Sequence, residues 1–189
     1  MKEKTQSAAT LGMWIFLGSE LLFFGGLFLS LTIYRHVYPE AFSEGTKHLN
    51  AWIGAVNTLI LLTSSMTIAL AVENKKPRIY LLLSFVLGIL FLLLKAYEYY
   101  QHYQEGLFPI LKWGGGHSPQ LLLFFLLYFL TTGIHALHLI IGLSFILWLS
   151  FRHSKNEADA FLKNIGLYWH FVDIIWVFIF PLLYLVGRN

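Results

Sequence analysis

The sequence predicts an all-α membrane protein, a polytopic helix bundle that crosses the bilayer five times and forms one membrane domain over residues 1–189. Hydrophobic residues make up 57% of the chain and charged residues only 12%, about half the charged share of a soluble domain. Five apolar stretches each reach the roughly 20 residues that a helix needs to span the hydrocarbon core. The segments between these stretches are too short to form separate domains.

The five predicted transmembrane spans are residues 10–34, 50–72, 77–103, 119–151 and 166–185. The polar N-terminus and the length of the first apolar run favour a retained span over a cleaved signal peptide. Asn50 can cap the second helix and Pro77 can open the third. Ser118 followed by Pro119 is typical of an N-cap and the first residue of a helix.

Lysine and arginine placement predicts the orientation of the spans, because cytoplasmic loops carry an excess of these residues. With the N-terminus inside, the inner segments hold Lys2, Lys4, Lys75, Lys76, Arg78, Arg152, Lys155 and Lys163, and the outer segments hold Arg35, Lys47, Lys112 and Arg188. Lys95 remains within a span. The distribution predicts an N-in, C-out topology.

Composition also excludes several classes of protein. The chain has no cysteine, which excludes disulfides, iron–sulfur clusters and thiolate metal sites, including a cysteine-based dicopper centre. The net charge is +3, but the basic residues are dispersed over short loops and form no stripe that would bind nucleic acid.

Glu20 is the first ionisable group that needs an explanation, because charged side chains in hydrocarbon are costly. It lies about ten residues into the first span, which corresponds to a depth of ~15 Å, near the bilayer midplane. Two interpretations carry equal weight at this point. Glu20 is a proton-handling or reactive carboxyl, or it is a structural carboxyl that binds Ser64 or Ser65 on the second helix.

Lys95, Glu98 and His102 fall on one face of the third helix near its outer end. An ion pair between Lys95 and Glu98 is the simplest interpretation. Lysine before glutamate is the weaker order for such a pair within a helix, so a partner on another helix is also expected. The pattern favours a structural role as buried polar ties.

His135 and His138 lie three residues apart, deep in the fourth helix, and they raise the hypothesis of a haem or metal site. The other histidine within a span, His170, lies near the inner end of the fifth helix, where its depth matches poorly. No carboxylate is evident beside the pair, and two histidines from one helix make a poor metal site. Buried, hydrogen-bonded packing residues are the favoured interpretation.

His170 and Asp173 can interact locally near the inner start of the fifth helix, and Asp173 can also accept a hydrogen bond from a neighbouring helix. Pro181, further along the same helix, is expected to kink it. Small and hydroxylated residues predict close contacts and hydrogen bonds between helices. They are Gly12, Gly18, Gly25 and Gly26 in the first helix, and Thr63, Ser64, Ser65 and Thr67 in the second.

Five segments, in order, resemble the subunit III family of haem–copper oxidases. They are GSELLFF (18–24), NTLILLTSSMTIALAV (57–72), KAYEYYQ (95–101), TGIHALHLIIG (132–142) and YWHFVDIIWVFIFPLLY (168–184). The chain is similar to the short, five-helix bacterial form, which lacks the first two of seven helices. The resemblance implies that Glu20 corresponds to the family's carbodiimide-reactive carboxyl and that no residue of this chain is catalytic.

The resemblance further implies an accessory subunit of a proton-pumping terminal oxidase in aerobic respiration, in a bacterial cytoplasmic membrane. Such a subunit packs on subunit I in a complex with subunit II, and it supports proton uptake and enzyme stability. A small subunit IV and a larger respiratory supercomplex are further candidate partners. The chain itself is expected to bind no redox cofactor, because haem and copper belong to the partner subunits; structural phospholipids are the expected small ligands.

Several alternatives stay open. Ser19–Glu20 and the KAYEYY segment favour the cytochrome c branch, but the third subunit of a quinol oxidase has a similar last helix. A related protein associated with nitric oxide reduction is another close variant. From different classes, the chain could be a haem b membrane anchor or a small proton-coupled transporter that uses Glu20.

Overall fold

The computed structural model describes residues 2–73, 77–108, 118–151 and 155–186, with the side chains of 2–9 and 155–160 left out of the description. Within these ranges the chain forms six α-helices and no β-strand, which confirms the all-α prediction. The helices are α1 (Lys2–Val37), α2 (Pro39–His48), α3 (Ala51–Glu73), α4 (Pro77–Gln104), α5 (Pro119–Phe151) and α6 (Lys155–Phe180), and a π-helical turn (Pro181–Leu185) follows α6.

Five helices in the described part of the chain are long and apolar enough to cross a membrane, as predicted. These spans are Thr10–Val37, Ala51–Glu73, Pro77–Gln104, Pro119–Phe151 and Phe161–Leu185. The helix that carries the fifth span, α6, begins at Lys155, before the expected start of this span at residue 166. Of the basic residues that indicate the orientation, Lys75, Lys76, Lys112, Arg152 and Arg188 lie outside the described residues.

The two predicted side-chain caps are confirmed. The Asn50 Oδ1 atom accepts hydrogen bonds from the backbone N–H groups of Trp52 at 3.0 Å and Ile53 at 3.3 Å. The Ser118 hydroxyl accepts one from the backbone N–H of Leu121 at 3.2 Å. Both caps satisfy N–H groups that the first turn of a helix leaves without a backbone partner.

The short helix α2 was not predicted. It lies in the connection between the first two spans and packs against α5, with the Phe42 ring edge-on to Phe124 at a centroid distance of 5.2 Å. Gly45 also faces the Phe124 ring, where any side chain would collide with it. Because α2 has ten residues and buries few of them, its apolar pattern is too short to recognise. We call this side of the molecule the α2 end.

The four helices α3 to α6 form the bundle, and α1 lies outside it against α5 and α6. Trp169 and Trp176 of α6 are fully buried at the centre. A Cβ atom on Gly142 would lie 2.9 Å from the Trp169 ring, so the absence of a side chain at this position allows α5 and α6 to approach. The Trp169 indole N–H donates to the Ser64 hydroxyl at 3.1 Å, one of the predicted hydrogen bonds between helices.

Helix α1 contacts the bundle through one narrow stripe. Leu17, Phe24 and Leu31, spaced by seven residues, are its main buried apolar residues. The expected role of the α1 glycines is wrong for contacts within this chain. No described atom lies within 4 Å of a Cβ built on any of them, because they face away from the stripe. These glycines are Gly12, Gly18, Gly25 and Gly26.

Pro181 was expected to kink the last span, and the structure has a π-helical turn that begins at this residue. Proline has no N–H to bond the preceding turn, and its ring crowds the carbonyl four residues earlier. The helix widens here into a π-helical turn, closed by a hydrogen bond of 3.1 Å from the Val186 N–H to the Pro181 carbonyl. The Tyr184 side chain within this turn is fully buried.

We predict that Gly142→Val destabilises the full-length chain by about 1–3 kcal/mol, the usual cost of overpacking a filled core. The added side chain must displace the buried Trp169 ring. Gly25→Val is the matched control, because a Cβ atom at this position has no neighbour within 4 Å in the described structure. Thermal unfolding in detergent measures the difference, and equal melting temperatures for the two variants would contradict the packing at Gly142.

Candidate functional site

An ion pair lies buried within the bundle toward the α2 end. Lys95 and Glu98 of α4 are 4% and 1% exposed, and the Lys95 Nζ atom lies 3.0 Å from the Glu98 Oε2 atom. The ammonium group also donates to the hydroxyls of Tyr128 at 2.9 Å and Tyr184 at 2.7 Å. All three of its N–H bonds therefore have partners.

The two tyrosines complete a closed network with the carboxylate. Glu98 Oε1 accepts hydrogen bonds from the Tyr184 hydroxyl at 2.6 Å and the Tyr128 hydroxyl at 3.0 Å. Each phenol thus accepts from the ammonium and donates to the carboxylate. We call these four residues the Lys95 cluster. It is electrically neutral and fully hydrogen-bonded, which is the condition under which a buried ion pair is tolerated.

Neighbouring residues make room for the Lys95 cluster. The Lys95 ammonium lies 5.2 Å from the centroid of the Trp176 ring, a favourable cation–π contact. On α3, a Cβ atom on Gly54 would approach the Tyr184 ring to 3.1 Å and the Phe180 ring to 2.7 Å. Glycine at this position therefore lets the π-helical turn place its tyrosine in the cluster.

Titratable side chains extend from the Lys95 cluster toward the surface. The buried His102 ring lies between two carboxylates, with Nε2 3.9 Å from Glu98 Oε1 and Nδ1 3.7 Å from Glu105 Oε2. Glu105 is half exposed, and its Oε2 atom is also 3.6 Å from His48 Nδ1 at the end of α2. Lys95, Glu98 and His102 therefore lie on one face of α4, as predicted, and their contacts extend from the bundle interior to the α2 end.

Glu20 forms the second polar group, with a partner that the sequence analysis did not predict. Its Oε2 atom lies 3.1 Å from His138 Nε2 of α5. The expected partners on α3 are engaged elsewhere: Ser64 bonds to Ser84 and Trp169, and Ser65 to His170. The reason is that α1 packs chiefly on α5 and α6.

The expectation that no carboxylate stands beside the His135 and His138 pair was therefore wrong, because the acid comes from another helix. Two further contacts fix the position of His138. Its Nδ1 atom lies 2.9 Å from the Ile134 carbonyl, and its own carbonyl accepts a hydrogen bond of 2.9 Å from the Tyr168 hydroxyl. A largely apolar cavity of about 430 Å³ adjoins this histidine between α1, α5 and α6.

His135, His170 and Asp173, the other ionisable residues singled out within the spans, do not join either group. His135 is buried against the rings of Phe91 and Trp176, with centroid distances of 5.8 and 5.3 Å. His170 Nδ1 lies 2.5 Å from the Ser65 hydroxyl. The structure does not pair His170 with Asp173, whose buried carboxyl lies beside the Ser65 side chain of the neighbouring helix α3.

Sequence reasoning missed Tyr128 and Tyr184. A signal was present, because Tyr128 lies nine residues into α5 and Lys95 nine residues before the end of α4, so the two groups stand at matching depth. The partnership of His138 with Glu20 had no comparable signal, since it depends on which helices are neighbours.

The fold and these two groups define a class: a polytopic helical membrane protein with a closed, buried ion-pair network and a contact between a glutamate and a histidine of different helices. Comparison with known proteins gives the family. The family model for cytochrome c oxidase subunit III matches residues 2–188. This chain belongs to the cytochrome c oxidase subunit III family, and thus to the third subunits of haem–copper oxidases.

Relatives of known description agree with this family. The chain is 28% identical over 187 residues to a probable quinol oxidase subunit 3 from Staphylococcus aureus (strain USA300), covering 94% of this chain and 88% of that protein. The identity and the coverage of both chains are the same for a probable quinol oxidase subunit 3 from Staphylococcus haemolyticus (strain JCSC1435).

Members of this family carry no redox centre of their own. In the described ranges, no group of three or more His, Cys, Asp or Glu side chains is arranged to hold a metal ion. Within this chain both polar groups join helices: the Lys95 cluster connects α4, α5 and the π-helical turn, and the Glu20 and His138 contact connects α1 and α5.

We predict that Lys95→Met costs about 3–5 kcal/mol of stability, because it leaves the Glu98 carboxylate buried without its cation. The double variant Lys95→Met/Glu98→Leu should lose less, since no charge is then stranded. Lys47→Met, at an exposed position of α2, is the control. Thermal unfolding and yield in detergent measure the order of the three variants. A double variant less stable than the single one would contradict the view that the unpaired Glu98 carboxylate causes the loss of stability.

Proposed function

We propose that this chain is the accessory subunit III of a proton-pumping terminal oxidase in aerobic respiration, located as one membrane domain in a bacterial cytoplasmic membrane. The observation that carries this proposal is the match to the subunit III family over residues 2–188. In this role the chain packs on the subunit that holds haem and copper, stabilises it and supports its proton uptake.

The surface of the chain suits a position among lipids and partner helices. Large apolar side chains point outward from every span, and Leu22 of α1 and Trp52 of α3 are 79% and 83% exposed. The glycines on the outward face of α1 would allow a partner helix to approach closely. These features support a subunit that is one part of a larger membrane assembly.

The electron donor is the finer part of the proposal. We propose cytochrome c, from the family description and from the KAYEYY segment. Quinol is the second candidate, because the relatives described above are named as quinol oxidase subunits. The partner subunits decide between the two, since a subunit II with a dicopper centre indicates the cytochrome c type.

The site geometry argues against the haem b anchor. Both ring nitrogens of His138 are engaged, one by the Ile134 carbonyl and the other by Glu20. His135 is packed between two aromatic rings. Its ring nitrogens make no hydrogen bond in the described structure, but the side chain is only 1% exposed, so an iron atom could reach it only by displacing these rings.

We predict that the tagged chain, extracted in a mild detergent, co-purifies with subunits that contain haem and copper. The physical reason is that its large exposed apolar faces are covered by partner helices in the membrane. Subunit identification and the optical spectrum of the complex are the measurements. Isolation of the chain alone with a stoichiometric haem would refute the accessory role, and a complex without a dicopper-binding subunit would favour quinol as the donor.

We predict that single-cysteine labelling will give the N-in, C-out topology. The chain has no cysteine of its own, so each introduced cysteine is the only labelling site in it. Glu44→Cys, at an exposed position of α2, should react with a membrane-impermeant maleimide in intact cells. Glu73→Cys, at the other end of α3, should react only after permeabilisation. The opposite pattern would show that the topology is inverted.

A further inference from the structure

Three polar side chains in the middle of the bundle have no hydrogen-bond partner among the described residues. They are Asn57 of α3 and Thr131 and His135 of α5, and each is at most 1% exposed. The two polar atoms of the amide, both ring nitrogens and the threonine hydroxyl are all unpaired in this way. A buried polar group needs a hydrogen-bond partner, and the hydrocarbon of a bilayer offers none.

Contacts with Trp176 of α6 place these side chains in one layer of the bundle. The Trp176 indole N–H donates to the hydroxyl of Thr58, the residue next to Asn57, at 3.1 Å. The Trp176 ring also lies against His135, with a centroid distance of 5.3 Å. Thr131 is one helical turn from His135 on the same face of α5. The three unpaired groups therefore lie at similar depth.

The Thr131 hydroxyl is not satisfied by the bond that is usual within a helix. A serine or threonine can return its hydroxyl to the carbonyl four residues earlier. Thr132 does so, with a hydrogen bond of 2.7 Å to the Tyr128 carbonyl, and Ser150 of the same helix bonds to the Ile146 carbonyl at 2.8 Å. Thr131 makes no such bond, so its hydroxyl is available to another partner.

Water is the ligand that fits these groups. An amide, a hydroxyl and a neutral imidazole each offer both donors and acceptors, as water does. An ion does not fit, because the Lys95 cluster is already neutral and an added charge would be unpaired inside the membrane. Buried water typically makes about three hydrogen bonds to such groups. We propose that this layer binds internal water molecules, held by Asn57 on α3 and by Thr131 and His135 on α5.

The proposed water sites adjoin the Lys95 cluster. The Lys95 ammonium lies 5.2 Å from the centroid of the Trp176 ring. Gly54, one turn before Asn57 on α3, borders the Tyr184 ring. Because α3 and α5 each pack on α4 and α6, the water on α3 and the water on α5 lie on different sides of the Trp176 indole. Their dipoles lower the electrostatic cost of burying an ion pair one turn away.

This inference concerns the interior of the chain and goes beyond the proposed function. Two variants of the full-length chain, Thr131→Val and Asn57→Leu, test it, because they keep the approximate shape of the side chain and remove its polar atoms. Bound water predicts that both lose hydrogen bonds, so that their melting temperatures fall. The control is Thr132→Val, which loses the hydrogen bond of 2.6 Å between Thr132 and Tyr99 and shows the size of such a fall.

The opposite result has a clear physical meaning. If these polar groups were dry, their removal would eliminate the cost of burying them without a partner. Melting temperatures that stay equal to the wild type or rise, while that of the control falls, would overturn the proposal.

A second measurement uses the wild-type chain in lipid nanodiscs and does not depend on the folding of a variant. Solid-state NMR of the ¹⁵N-labelled chain follows the transfer of magnetisation from water to side-chain nitrogens. The buried Trp169 indole, which donates to Ser64, is the dry reference, and His36, at an exposed position, is the wet one. Transfer to Asn57 and His135 that is faster than to the Trp169 indole supports bound water, and transfer that is no faster overturns it.

Discussion

The Lys95 cluster is the interaction on which the arrangement of the bundle depends. A bilayer offers no water to a charged group that loses its partner, so Lys95 and Glu98 must be satisfied entirely by the protein. The network achieves this with hydroxyls from α5 and from the π-helical turn after α6. Three separate segments of the chain must therefore meet at one depth, which fixes their relative positions along the membrane normal.

Helix α1 is attached to the bundle by different interactions. It contributes an apolar stripe, and polar contacts run from Glu20 to His138 and from Tyr34 to the Gln120 carbonyl. The Lys95 cluster carries equal and opposite charges within itself and joins three segments of the bundle, whereas the contact between Glu20 and His138 joins α1 to α5 alone.

Membership of the subunit III family gives these features a common meaning. The buried ionisable residues make contacts with one another and with tyrosine, serine and backbone groups, and the glycines of α1 remain free on the outside of the chain. A subunit that carries no redox centre can devote its polar interior to holding helices in register. Its outer faces then remain available for neighbouring subunits and lipid.

The sequence by itself determined the five spans, the helix caps at Asn50 and Ser118 and the irregularity at Pro181, because apolar length, capping and the missing proline N–H are local properties of the chain. Only the tertiary structure decided that Glu20 meets His138 instead of a serine on α3, that Tyr128 and Tyr184 close the Lys95 cluster, and that the α1 glycines face outward. These outcomes depend on which helices are neighbours. A continuous apolar span gives little indication of this, since in hydrocarbon every face of a helix can be apolar.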